Sequence, residues 1–237
     1  MKIGGFQKFS LLDFPGQLAA IIFTQGCNFR CPYCHNPALV DPKRYGSIVD
    51  TEAVLRFLYR RRKKLGAVVI SGGEPTLQED LIPFLRLIKA MRFKVKLDTN
   101  GSLPDVLDQI AHAGLVDYYA MDIKAPLNLY QLVTCSYINP ATVLGSMDVI
   151  RRAGVSYEFR STFFDALLSE SDLLSMQELL KPGDRFTLQE CRYGNNLVDI
   201  CKPRQDCGEV SLGDSHAYKT LIDWGKQNSI QISLRSL

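Results

Sequence analysis

Long hydrophobic runs are missing from this chain of 237 residues, because nowhere do eighteen apolar residues follow one another. A membrane-spanning helix, and with it a membrane partner, is therefore not expected. The first residues, MKIGGFQKFSLLDFPG, lack the apolar segment of a secretory signal. Low-complexity stretches, long linkers and internal repeats are also lacking. We therefore expect a cytoplasmic protein that folds as a single domain over residues 1–237.

A strong charge of either sign is absent as well. The formal net charge is only +3, which is too small to indicate a nucleic-acid-binding protein. One basic run, RRRKK at residues 60–64, stands out. We interpret it as the solvated end of a helix.

Disulfide bonding is not indicated by the cysteines. Their number is seven, which is odd, and three of them lie within eight residues. Such crowding favours a metal site in a reducing compartment over a disulfide framework.

Apolar, β-branched runs alternate with helix-like segments along the chain. The runs lie at residues 18–24, 67–71, 94–98, 116–123, 155–164 and 185–189. Helix starts are indicated by Asp50, Pro104 and Ser169, the last of which stands three residues before Asp172, a capping-box spacing. Six strand-then-helix units with right-handed crossovers predict an α/β fold, a partial (β/α)6 TIM-like barrel.

Polar residues follow each predicted strand, where the chemistry of such barrels gathers. A turn or a surface ion pair explains any one of these groups, but not their recurrence at six successive strand ends. The six groups, in chain order, are Gln25-Gly26-Cys27; Gly72-Gly73-Glu74-Pro75; Asp98-Thr99-Asn100-Gly101; Asp122 and Lys124; Arg160; and Gln189 with Glu190. We expect them to meet at one mouth of the barrel.

The stretch QGCNFRCPYCHN at residues 25–36 holds Cys27, Cys31 and Cys34. A structural zinc site needs a fourth ligand, for which His35 or one of the later cysteines, Cys191, Cys201 and Cys207, is available. His35 adjoins Cys34, which makes joint ligation awkward. A 4Fe-4S cluster held by three thiolates instead leaves one iron open for a substrate or cofactor.

The cysteine motif, together with SLLDFPG at residues 10–16, resembles the radical S-adenosylmethionine (SAM) enzymes over essentially the whole chain. Among these it is most similar to the glycyl-radical-enzyme activating enzymes, in particular those assigned to anaerobic ribonucleoside-triphosphate reductase. The resemblance implies a radical SAM oxidoreductase in which Cys27, Cys31 and Cys34 hold the cluster while SAM chelates the open iron.

The resemblance also implies roles for the strand ends. The backbone of Gly72 and Gly73 approaches the methionine moiety, Glu74 receives its ammonium group and Pro75 stiffens the turn. A monovalent cation lies near Asp98 and Asp122, with Thr99 and the carbonyl of Ala120 completing its shell. The remaining residues assigned to SAM are Tyr33 beside the adenine, Lys124 and Arg160 at the carboxylates, and His35, Asn100 and Gln189.

The implied function is reductive cleavage of SAM to a 5'-deoxyadenosyl radical, which installs a glycyl radical on a partner enzyme. A flavodoxin or ferredoxin supplies the electron. Only 37 residues separate Cys34 from Gly72, so an inserted ferredoxin-like domain is not expected. Two alternatives stay open at this point: a radical enzyme acting on a peptide or small metabolite, and a non-catalytic zinc-binding interaction module.

A second cluster is not expected. Cys191, Cys201 and Cys207 are spaced by ten and six residues, without the short spacing of a cluster loop. No role is assigned to them or to Cys135.

Overall fold

The computed structural model describes residues 1–191, 197 and 211–235. Its centre is one eight-stranded sheet with the strands in chain order. The strands are β1 (Ile3–Ser10), β2 (Ala19–Thr24), β3 (Ala67–Gly72), β4 (Lys94–Thr99), β5 (Tyr118–Asp122), β6 (Ser156–Phe163), β7 (Arg185–Glu190) and β8 (Gln231–Arg235). β1 pairs antiparallel with β2, and every later neighbour pairs parallel.

Helices connect the parallel strands. They are α1 (Pro37–Val40), α2 (Thr51–Arg61), α3 (Leu81–Ala90), α4 (Pro104–His112), α5 (Tyr130–Thr134), α6 (Pro140–Arg152), α7 (Glu170–Ser175) and α8 (His216–Gln227). Asp50 caps α2 by accepting from the N–H groups of Glu52 and Ala53, and Ser169 forms the capping box of α7 with Asp172. The α/β class is confirmed, and the six predicted strands are β2 to β7.

The two faces of the sheet are packed differently. Side chains on the outer face form the large apolar core with the helices, for example Ile22, Val68 and Leu97. The inner face holds a smaller apolar cluster in which Phe14 packs on Tyr118, with 5.8 Å between ring centroids. Because Phe14 precedes β2, the loop between β1 and β2 reaches into the space that the sheet encloses.

The basic run at residues 60–64 is the end of α2 and the turn after it, and all five side chains are exposed. Gly66, two residues beyond the run, donates its N–H to the carbonyl of Leu18 just before β2. The run therefore lies at the amino ends of the strands, away from the carboxyl ends that carry the polar groups. Its interpretation as a solvated helix end agrees with this exposure. Among the described helices, none has the length and apolar character needed to span a membrane.

Candidate active site

A cavity of about 310 Å³ lies at the carboxyl ends of the parallel strands. It brings together the predicted site residues except Glu74 and Pro75. Those that line it are Cys27, Cys31, Tyr33, Cys34, His35, Gly72, Gly73, Asp98, Thr99, Asn100, Asp122, Lys124, Arg160 and Gln189. Five separate strands and the cysteine loop therefore contribute to one site.

The cysteine loop runs from the end of β2 to α1 and is folded by its own backbone. Cys34 donates its N–H to the carbonyl of Cys31 at 3.0 Å, and Arg30 donates Nη1 to the carbonyl of Cys27 at 2.6 Å. Burial raises the pKa of the Cys27 thiol to about 11 and that of the Cys31 thiol to about 12. These thiols lose their protons when they bind a metal.

The glycine pair after β3 packs directly against the entry of the cysteine loop. A Cβ on Gly73 would lie 2.0 Å from the carbonyl oxygen of Gly26, and one on Gly72, whose φ is +120°, would lie 2.3 Å from the amide nitrogen of Thr24. Gly73 donates its N–H to the carbonyl of Thr24, and Glu74 donates its N–H to that of Gly26. The glycines are thus required for contact between two backbones.

Glu74 is fully buried below this contact, and its carboxylate is surrounded by donors. Oε1 accepts from the N–H and hydroxyl of Thr76 and from the hydroxyl of Thr99, while Oε2 accepts from the N–H of Asn100 at 2.6 Å. Burial raises the pKa of Glu74, and these hydrogen bonds oppose that rise. Glu74 therefore links the ends of β3 and β4, and its expected contact with an ammonium group stays a prediction. Pro75 begins the short 3-10 turn Pro75–Leu77 and is buried.

A row of alternating charges crosses the cavity wall. Asp122 accepts from Lys124 and Arg160, both at 2.9 Å. Asp98 lies 3.6 Å from Arg160 and 3.2 Å from Lys96. Burial alone would raise the pKa of Asp122, but Arg160 and then Lys124 outweigh it and lower that pKa to about 2. The row offers both signs of charge to a zwitterionic ligand.

The acidic pair expected to hold a monovalent cation is already neutralised by these basic side chains. Within the described residues, no three His, Cys, Asp or Glu side chains converge closely enough to hold a single metal ion. A cation beside Asp98 and Asp122 would compete with Arg160.

Tyr33 gives an independent indication of a ligand. Its ring is buried against Phe164, with centroids 5.6 Å apart, and its hydroxyl has no hydrogen-bond partner in the part of the chain that is described. An unpartnered buried hydroxyl is uncommon in native proteins. The cavity thus has an aromatic wall, a set of three thiols and a charged wall, which fit an iron-sulfur cluster together with SAM.

Two residues at the site, Asp13 and Lys96, were not predicted from the sequence. Asp13 lines the cavity, and its carbonyl accepts from buried Lys96 at 2.7 Å. Lys96 alternates with Asp98 along β4 and therefore shares its inward face, a signal that was present in the sequence.

The remaining cysteines have different settings. Cys135 is exposed at the end of α5, and Cys191 is half-buried just after β7. Cys201 and Cys207 lie outside the described residues, so the sequence-based expectation about a second cluster stays a prediction.

The sequence matches the Radical SAM superfamily over residues 21–174, which include the cysteine loop and the strand ends up to Arg160. The chain belongs to this superfamily. Radical SAM membership makes it an oxidoreductase with a 4Fe-4S cluster and SAM, and removes the alternative of a non-catalytic zinc module.

Relatives within the superfamily are more specific. A Methanocaldococcus jannaschii protein named as a glycyl-radical enzyme activating enzyme is 34% identical over 194 residues, which are 79% of this chain and 79% of that one. A pyruvate formate-lyase-activating enzyme of Clostridium pasteurianum is 36% identical over 105 residues, 42% of this chain and 43% of that one. This radical SAM chain therefore resembles activating enzymes well beyond the cysteine motif.

Solved structures support the architecture. Streptococcus suis SuiB bound to S-adenosylmethionine has a TM-score of 0.66 at 14% identity, and the match covers 92% of this chain and 51% of that one. At this identity the similarity concerns the fold alone. It confirms the partial-barrel form of the radical SAM chain.

Proposed function

We propose that this radical SAM enzyme activates a glycyl-radical enzyme, and that its partner is an anaerobic ribonucleoside-triphosphate reductase. The observation that carries the proposal is the cysteine loop and the charged strand ends on one cavity, in a chain similar to an activating enzyme over 79% of its length. The bound cluster and SAM supply reductive cleavage to a 5'-deoxyadenosyl radical. The protein binds and orients these groups and excludes water.

The thiolates of Cys27, Cys31 and Cys34 would hold the cluster. The Gly72-Gly73 backbone and the ring of Tyr33 would bound the methionine and adenine ends of SAM. Lys124 and Arg160 would hold its carboxylate, since they are the basic side chains that line the cavity, and Asp98 and Asp122 would face its ammonium and sulfonium charges. Thr99, His35 and Gln189 would complete the pocket.

A monovalent cation near Asp98 and Asp122 also belongs to the proposal. Binding of this cation would require Arg160 to move away from Asp98 and Asp122 and toward the carboxylate of SAM. Equilibrium binding of SAM in Na⁺, K⁺ and choline buffers tests this point, and equal affinity in all three would remove the cation from the site.

The kind of partner, the electron donor and the cellular location also belong to the proposal. A protein loop needs an open cavity mouth, and an open sheet in which β1 and β8 are the edges provides one. A flavodoxin or ferredoxin would supply the electron. The exposed thiol of Cys135 and the cluster loop suit the reducing cytoplasm.

The test is anaerobic incubation with the reductase encoded in the same organism, SAM and a one-electron donor. We expect a protein-centred glycyl radical, seen as a doublet by electron paramagnetic resonance, together with methionine and 5'-deoxyadenosine. Serine variants of Cys27, Cys31 or Cys34 should lose iron, SAM cleavage and the doublet. Cys135→Ser, at an exposed thiol that does not line the cavity, is the matched control and should retain all three. SAM cleavage without a radical on any glycyl-radical enzyme of that organism would refute the activating role.

A peptide substrate is the second candidate, because the fold relative SuiB has been solved bound to a precursor peptide. Turnover of a peptide or metabolite in the same assay, with no glycyl doublet, would favour this candidate.

A further inference from the structure

The sulfur of Cys27 receives two N–H groups from the protein. The backbone N–H of Phe29 lies 3.4 Å from Sγ, and the side-chain amide Nδ2 of Asn100 lies 3.8 Å from it. Within the described residues, no N–H group reaches the sulfur of Cys31 or Cys34. The Asn100 amide comes from the end of β4, so it reaches the cysteine loop from a different part of the chain.

The orientation of the Asn100 amide is fixed by three further contacts. Oδ1 accepts from the backbone N–H of Ser102 at 2.9 Å, and Nδ2 also donates to Oδ1 of Asn28 at 2.9 Å. Rotating the amide by half a turn would face its NH₂ group toward the N–H of Ser102, leaving two donors opposed. The backbone N–H of Asn100 is held by the buried carboxylate of Glu74 at 2.6 Å. These contacts therefore hold the Nδ2 donor of Asn100 toward the sulfur of Cys27.

We propose that Asn100 is a positioning residue that raises the reduction potential of the cluster through the Cys27 sulfur. Reduction adds one negative charge that spreads over the sulfurs, and an N–H donor stabilises that charge more in the reduced state. The burial of the loop opposes reduction here, because a buried site disfavours added negative charge. The Asn100 donor counters this effect, and Glu74 holds Asn100 in place through the backbone N–H. This inference rests on the cluster, not on the identity of the partner.

The test is an anaerobic redox titration of the cluster-loaded protein without SAM, followed by electron paramagnetic resonance. Asn100→Leu removes the donor at similar size. Asn100→Asp keeps an acceptor for Ser102 but replaces the donor with an acidic oxygen. We expect both variants to keep wild-type iron and to have a lower midpoint potential. For Asn100→Leu the reduced-to-oxidised ratio at a fixed potential should fall about tenfold, which equals about 59 mV for one electron. Thr162→Val, on the same cavity wall without a contact to sulfur, should leave the potential unchanged.

Unchanged potentials in both variants, or a weaker affinity for SAM as the only effect, would overturn the proposal. If both variants lose the cluster, the wild-type protein decides. Pulsed electron paramagnetic resonance of the reduced cluster, with ¹⁵N in the asparagine side-chain amides, should detect a nitrogen coupling. That coupling should persist in Asn28→Ser, and its absence from the wild-type protein would refute the hydrogen bond. Because no partner enzyme is present, failure of the activating function cannot cause either result.

Discussion

Asp122 is the residue on which the charged row depends, because it accepts from both Lys124 and Arg160. Its pKa of about 2 lies below the unfolded value of about 3.9, so its ionisation stabilises the fold above pH 4 and loses this effect as the pH falls toward 2. We expect Asp122→Asn to lower the free energy of unfolding by about 2 kcal/mol at pH 7. The difference from wild type should shrink between pH 4 and pH 2.

Denaturant unfolding of the cluster-free chain at pH 7, 4 and 3 measures this difference, since acid dissolves iron-sulfur clusters. Asp223→Asn is the matched control, because Asp223 pairs with Lys226 at 3.0 Å on the surface. Exposed pairs contribute little, so this control should change stability by less than about 0.5 kcal/mol. A pH-independent loss in Asp122→Asn would show that its ionisation does not stabilise the fold.

Which residues reach the cavity could largely be predicted, because parallel strands end at the same edge of a sheet. What each side chain contacts there could not. Glu74 lies in a motif with an expected ligand, yet its oxygens are taken by Thr76, Thr99 and Asn100. Thr76 is a local partner, but Thr99 and Asn100 come from the end of the neighbouring strand β4, and single-sequence patterns carry no information about that register.

The turn after β3 is the element that joins the SAM pocket to the cysteine loop. Gly73→Ala would place a methyl group 2.0 Å from the Gly26 carbonyl, and the atoms in contact are backbone atoms that cannot rotate away. We expect this variant to retain less iron and to bind SAM at least tenfold more weakly. Iron analysis and equilibrium SAM binding measure both effects.

Gly46→Ala is the control for that turn, since nothing lies within 4 Å of its added methyl group. It should behave as wild type. Normal iron and SAM binding in Gly73→Ala would mean that the loop yields at little cost, and that the close contact does not position the cluster.

Edge strands account for the elements missed from the sequence. β1 contains two glycines and mostly half-buried or exposed side chains, and β8 alternates polar with apolar residues. The six central strands each contain two or more consecutive buried residues, which favours recognisable apolar stretches, whereas an edge strand needs a single buried face. Central strands could therefore be identified from composition alone, whereas the edge strands β1 and β8 could not.

The loop between β1 and β2 combines a cavity residue with exposed apolar side chains. Ser10 Oγ donates to Asp13 and accepts from the N–H of Leu12, which holds a tight turn. Asp13 lines the cavity, while Leu11 and Leu12 are 74% and 86% exposed. If a protein loop enters the cavity, these leucines are suited to contact the protein that carries it.

We expect the double variant Leu11→Ser, Leu12→Ser to slow glycyl-radical formation at least tenfold and to leave uncoupled SAM cleavage unchanged. Initial rates of the doublet and of 5'-deoxyadenosine formation measure the two activities. Leu87→Ser, which replaces another exposed leucine, on α3, is the control. Equal radical formation in the double variant would show that the partner docks elsewhere. The basic run at residues 60–64 is a weaker candidate, since it lies at the opposite end of the strands.

At the scale of the whole molecule, one cavity brings together the predicted cofactor-binding residues other than Glu74 and Pro75. We propose that residues 1–237 form one domain around this cavity. The cluster-loaded protein should then contain about four irons per chain. Cys201→Ser and Cys207→Ser should not change that value, and Cys31→Ser should abolish it. A reproducible content near eight irons that falls to about four in Cys201→Ser would instead require a second cluster. Cys31 lines the cavity, and Cys191 follows β7 at the same edge of the sheet. The iron content therefore also tests whether this edge holds one cluster or two.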